Sequence, residues 1–210
     1  MIWSICSFLN KKVFLSTFEE ELLMDIRRQI LHAVYTLAQR QAIKDITVND
    51  ILTEATVSRG SFYKYFSDKY DVINRYYDEA MTAIFQDCES YTWQGIFTKM
   101  LAYFEAHPAF FDAAFRATGQ NSFTDFFRHH LMTEFMEIID HHSTHRLTAD
   151  DQKALQFFVD GFVTYTRQWA LTGMHQPASD LGADLHLFMP ACLCEITLTA
   201  VPLESSTPTH

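Results

Sequence analysis

The sequence predicts an all-α protein, with a small helical head followed by a larger helical body. Three observations carry this. Glycine (6) and proline (5) are scarce among 210 residues, so few breakers interrupt the chain. Apolar residues recur three and four apart over long stretches, the period of a helix with one buried face. Ser, Thr or Asp stands where several of these stretches begin, as N-caps do.

The elements follow in order. Leu23, Ile26, Ile30, Ala33, Val34, Leu37 and Ala38 form the apolar stripe of a helix from Glu21 to Arg40. Gln41 to Asp45 is a short connection. Thr47 is an N-cap, with Asp50 three residues on in capping-box position, and it opens a short helix from Val48 to Ala55. The tight turn Ala55-Thr56-Val57 leads to Ser58, a second cap, and to the helix Arg59 to Tyr65. Phe66 to Lys69 breaks that helix, and Asp68 caps a long one running to about Tyr91.

Only helices are expected beyond that point. One runs from Trp93 to Ala106, and Pro108 stands in the first turn of the next, Ala109 to Ala117. Gly119-Gln120-Asn121 is a turn, and Ser122 to His142 a long helix. Thr148 and Asp151 repeat the capping box before a helix to Leu171, with Gly173 placed as a C-terminal cap. A last helix is expected from about Leu181 towards Leu198. The chain therefore divides into an extension (1–23), a head (24–68), a body (69–202) and a polar tail (203–210). Two readings of the extension stay open: an arm or helix packed on the body, or residues ahead of a true start at Met24.

The stretch ITVNDILTEATVSRGSFYKYFSDKYDVI, residues 46–73, resembles the DNA-binding head of the TetR family. Thr47, Val48, Ile51, Ala55, Val57, Ser58, Gly60, Ser61, Phe62, Tyr63, Tyr65, Phe66 and Lys69 fall in the family pattern. Thr56 stands where the family usually has glycine, and Leu52 where alanine is common. The resemblance implies a helix-turn-helix that binds a double-stranded operator, and a body that forms a homodimer and takes a small-molecule effector. Pairing would use the helices 151–171 and 181–198. The stretch with Gly161-Phe162, Arg167, Trp169 and Gly173-Met174 resembles the body of regulators in the dihydroxyacetone-kinase gene neighbourhood.

Residue chemistry assigns roles within that frame. Gly60 and Ser61 keep the outer face of the recognition helix narrow enough for the major groove, and Arg59 is suited to guanine. Ser58, Tyr63 and Lys64 suit phosphate oxygens, which fix register. Thr47 and Lys69 open flanking helices, where free amides and the helix dipole favour a phosphate. From Asp25 to Arg75 eight basic residues face six acidic ones, so this stretch is +2 within a chain of net charge -10. A mildly basic head on an acidic body fits contact with DNA through one part only.

Phe104, Phe111, Phe115, Phe127, Tyr165 and Trp169 are the candidates for lining an apolar effector pocket, against the alternative that they are plain core. His130, Glu134, Glu137 and His141 form one stripe of a helix, and the expectation is a solvated face rather than a metal site. Cys6, Cys88, Cys192 and Cys194 make no disulfide framework; reduced thiols in a cytoplasmic protein are expected, with Cys192 and Cys194 as small buried residues. No cofactor is expected. No Gly-rich phosphate loop, nucleophile elbow or His-Glu-x-x-His motif occurs, so no enzyme is expected. No stretch reaches the ~20 apolar residues of a membrane span. The remaining alternative is a helical co-regulator that binds a ligand or protein and no longer binds DNA specifically.

Overall fold

Many of the helices in this chain begin where a side chain takes up the backbone amides that a helix leaves open. A computed structural model describes residues 18–85, 92–119, 121–142 and 147–196. Every regular element among the described residues is helical: α1 (Phe18–Ala38), a 3-10 turn (Ile43–Asp45), α2 (Val48–Ala55), α3 (Arg59–Tyr65), α4 (Lys69–Phe85), α5 (Trp93–Ala106), α6 (Pro108–Arg116), α7 (Phe123–His142), α8 (Ala149–Leu171), α9 (Ala178–Leu187) and α10 (Ala191–Cys194). None of the described helices is long and apolar enough to cross a membrane.

The expected caps are in place. Asp50 N donates to Thr47 Oγ1 at 3.2 Å, and Thr47 N donates to Asp50 Oδ2 at 2.8 Å. The same box starts α8, with Asp151 N to Thr148 Oγ1 at 3.1 Å and Thr148 N to Asp151 Oδ2 at 2.9 Å. Ser58 Oγ accepts from Ser61 N at 3.0 Å. Asp68 Oδ1 accepts from the amides of Tyr70 and Asp71 at 2.8 and 2.9 Å. Pro108 is the first residue of α6, and Gly173 takes the positive φ (94°) that ends α8. Between α2 and α3 the chain turns through Thr56 at φ 55°, ψ 42°. That is left-handed backbone, where a β-branched residue is strained.

Two expected helix boundaries are corrected. Helix α1 starts at Phe18, three residues before Glu21. The last helix does not continue from Leu181 towards Leu198: α9 stops at Leu187, and a separate short turn, α10, follows Pro190. Proline lacks the amide that would continue α9, and its ring collides with the preceding turn. In α10 only Leu193 faces inward, so Cys192 is half-buried and Cys194 exposed, not the buried pair expected. Residues 1–17, the expected α4 end at Tyr91, the stretch to Leu198 and the tail 203–210 lie outside the described residues.

The head closes over Ile51, Phe62 and Phe66, all buried, with Val57 half-buried beside them. Helix α1 packs on α2 and also on α4, which joins head to body. In the body α5 and α9 cross so closely that a Cβ at Gly182 would lie 2.6 Å from Thr98 Oγ1. Helix α8 packs against α6 and α7.

Candidate nucleic-acid interface

Helix α3 is seven residues long and buries one of them, Phe62. Tyr65 is half-buried against the core, and the opposite face is open. Arg59, Gly60, Tyr63 and Lys64 are exposed, and Ser61 is half-buried. Tyr63 is held edge-on to Phe62 with ring centroids 5.2 Å apart. Lys64 Nζ lies 5.7 Å from the centre of the Tyr65 ring. Ser58 is committed to its cap, with its hydroxyl 2.9 Å from that of Ser61. A Cβ at Gly60 would meet nothing closer than Ser58 Oγ at 3.8 Å, so nothing among the described residues demands glycine there.

The two flanking positions differ from each other. Thr47 has its hydroxyl and its amide on Asp50, so the amides of Val48 and Asn49 are what α2 offers an anion. Lys69 is turned inward. Its ammonium donates to the carbonyls of Ile43, Lys44 and Ile46 at 2.7, 3.0 and 2.6 Å. These three bonds use all three of its N–H groups and close the end of the 3-10 turn. Burial lowers the Lys69 pKa, opposed by Asp45, Asp50 and Asp68. The Lys69 side chain is thus a clasp between α4 and the turn that precedes α2, and at the start of α4, where a phosphate was expected, the amides of Tyr70 and Asp71 are on Asp68. The stretch ahead of residue 47 carried no sign of this, because the acceptors are backbone oxygens more than twenty residues away.

Asn49 escaped notice in the sequence. It lies on α2, and the Arg59 guanidinium donates to its side-chain oxygen. An amide ten residues before an arginine is a weak signal unless the turn between them is already known.

Residues 30–76 match the family model for bacterial regulatory proteins of the tetR family, and residues 91–190 match the model for a transcriptional regulator C-terminal region. The chain belongs to the TetR family of transcriptional regulators. The fold agrees. The dihydroxyacetone kinase operon activator DhaS superposes with a TM-score of 0.59 at 19% identity, over 82% of this chain and 98% of that one. A TetR regulator from Streptococcus agalactiae 2603V gives 0.58 at 19% identity with the same coverage. One from Streptomyces coelicolor gives 0.52 at 17% identity, over 82% and 80% of the two chains. No curated protein matches the sequence.

In this TetR-family chain the six candidate pocket residues do not come together. Phe104, Phe111, Phe115 and Phe127 are fully buried and pack on one another, with Phe104 and Phe111 stacked at 3.9 Å. Tyr165 is 62% exposed on the opposite side of α8. Trp169 is buried but donates through Nε1 to the Gln176 carbonyl at 2.8 Å, which pins the turn after α8. A helical stripe does not distinguish a core face from an outer face, and here α8 has both. Tyr165 instead joins Phe157, Gly161, Leu187 and Phe188 around a surface groove of about 530 Å³.

The aromatic core reaches α4 through Tyr77. This fully buried ring lies edge-on to Phe104, Phe123, Phe126 and Phe127, at 5.6–6.0 Å between centroids. Its hydroxyl donates to the Met100 sulfur at 3.5 Å. A second contact ties body to head: Tyr35 Oη on α1 lies 2.8 Å from His107 Nδ1, and the Tyr35 ring stacks on Tyr76 of α4 at 5.2 Å. In the histidine stripe, His130 is not solvated but lies between Asp78 Oδ1 (3.6 Å) and Glu134 Oε1 (3.9 Å). Burial pulls its pKa down to about 3 and raises Asp78 to about 6. Among the described residues no group of three or more His, Cys, Asp or Glu side chains is arranged to hold a metal ion.

Proposed function

We propose that the protein is a repressor that binds a palindromic operator as a homodimer through α3 and is released by a small, largely apolar effector. The observation that carries the reading is the outer face of α3. Arg59, Tyr63 and Lys64 project from it, and Gly60 leaves a gap that no neighbour among the described residues fills. A groove-entering helix needs such a gap, with base-reading and phosphate-binding groups beside it.

Pairing is supported by the face built from α8 and α9. Phe157 (83%), Leu187 (77%), Phe188 (69%) and Tyr165 (62%) are exposed there, a cluster that water disfavours and a second copy would cover. Two heads would then reach half-sites about one DNA turn, roughly 34–36 Å, apart. Release is supported by Tyr77. A ligand that parted the rings around it would push directly on α4, and ligand and DNA would then weaken each other by the same factor.

The test is an anisotropy titration of the purified protein on the intergenic DNA upstream of its own gene, with excess random duplex. Tight, competition-resistant binding at two protomers per site is expected, and a reporter behind that site should be silenced. Weak binding that random duplex abolishes would favour a co-regulator that does not bind DNA specifically. A reporter switched on would reverse the sign, as the name of the DhaS neighbour, an operon activator, brings into view.

A further inference from the structure

We infer that Asn49 is a positioning residue for base recognition: its side-chain amide on α2 holds the Arg59 guanidinium in the orientation in which α3 presents it to the major groove. The inference rests on the operator-binding reading above and adds the residue that gives Arg59 its selectivity.

Arg59 is the first residue of α3, exposed, on a side chain with four rotatable bonds. Left alone, such a group samples many directions and loses that freedom when it meets a base. Here one Nη2 N–H is donated to Asn49 Oδ1 across the α2–α3 turn. The other four N–H groups stay available, enough for a bidentate approach to guanine O6 and N7. The Asn49 backbone sits in the first turn of α2, which the Thr47–Asp50 box fixes, so the anchor is itself rigid.

The chemistry of the partner matters as much as its place. A carboxylate at position 49 would hold the guanidinium equally well but cancel its charge and repel the phosphates alongside. An amide orients without neutralising. The nearby carboxylate Asp50 is turned to Thr47 and does not compete for Arg59.

The experiment uses the full-length protein. An operator is selected from random duplexes, each of its base pairs is substituted in turn, and affinities are measured at two salt concentrations. The variants are Asn49→Ala, Asn49→Asp, Arg59→Ala and the Asn49→Ala/Arg59→Ala pair, each checked for an unchanged melting temperature. Arg59→Ala should lose roughly five- to hundredfold of discrimination at one base pair per half-site. Asn49→Ala should lose roughly two- to tenfold at that same base pair and leave affinity for random duplex unchanged. The double variant should match Arg59→Ala alone. Asn49→Asp should weaken binding to every sequence and lower the salt slope by about one per protomer.

If Asn49→Ala leaves discrimination intact, or weakens all sequences alike, or adds fully to Arg59→Ala, the positioning role is overturned while operator binding stands. If the wild-type protein selects no sequence, or Arg59→Ala loses nothing at any single base pair, the reading beneath the inference falls and takes it along.

Discussion

Between Thr47 and Asp71 the helices are short and held at their ends by side-chain caps, whereas between Tyr77 and Phe162 long helices are held along their lengths by aromatic rings. The head spends polar groups on backbone amides and keeps one face of α3 clear of its own core. The body buries most of its described rings and leaves Phe157, Tyr165 and Phe188 on one outer face. The difference fits two tasks. A helix that must enter a groove keeps its outer surface for a partner, so it draws stability from its termini. A helix bundle that is to transmit a push, as the proposed release requires, keeps no free surface inside and draws stability from packing.

Substitutions can test that contrast. The largest effect should come from the rings: Phe104→Ala should cost about 3–5 kcal/mol in urea unfolding, because a fully buried ring stacked on Phe111 leaves a cavity. A loss under 1 kcal/mol would mean the body core is looser than its ring contacts imply. Next comes the clasp. Lys69→Met removes three hydrogen bonds to carbonyls, of which only that of Ile43 keeps a backbone donor (Ile46 N), and should cost about 2–3 kcal/mol, with the salt slope of DNA binding unchanged. A slope lower by about one would restore a phosphate to Lys69.

The two capping boxes make a matched pair, one in each region. Thr47→Ala and Thr148→Ala should each cost about 1 kcal/mol by thermal melting. Their acid limbs should differ. The Asp50 pKa is lowered first by the backbone of Thr47, which alanine keeps; that of Asp151 is lowered first by the Thr148 side chain, which alanine removes. A carboxyl with a lowered folded pKa adds stability that is complete above the ordinary Asp value of about 3.9 and is lost as pH falls through the folded value. Thr148→Ala should therefore flatten the decline of stability below pH 4 more than Thr47→Ala does. Equal acid limbs would show that side-chain and backbone donors count alike. The smallest effect is a gain: Thr56→Gly should stabilise by about 0.5–1 kcal/mol by relieving left-handed backbone at a β-branched residue.

The same contrast explains what could be read before the structure. Thr47, Ser58, Asp68, Thr148 and Pro108 act within four residues of themselves, so their spacing alone placed the starts of five helices. Thr56 stood out through the family resemblance alone, as a residue where the family usually has glycine. The stretch from Leu181 towards Leu198 suggested one long helix because apolar periodicity outweighed Pro190, and backbone chemistry decided otherwise. Tyr165 and Trp169 were grouped with the phenylalanines because period says that a helix has an apolar face, not which neighbour covers it. Lys69 and Asn49 act across a turn or across more than twenty residues, and nothing local announces where a long side chain ends up.

The clasp at Lys69 also sets a mechanical ratio. It ties the first residue of α4 to the turn that carries α2, so the start of this helix and the reading head move as one piece. Helix α4 has 17 residues, a rod of about 25 Å at 1.5 Å per residue. Pivoting such a rod by about 10° near its body end displaces the other end by roughly 4 Å, about the 3.4 Å step between stacked base pairs. A tilt no larger than the slack in a helix contact is thus geared up to a full step along the double helix.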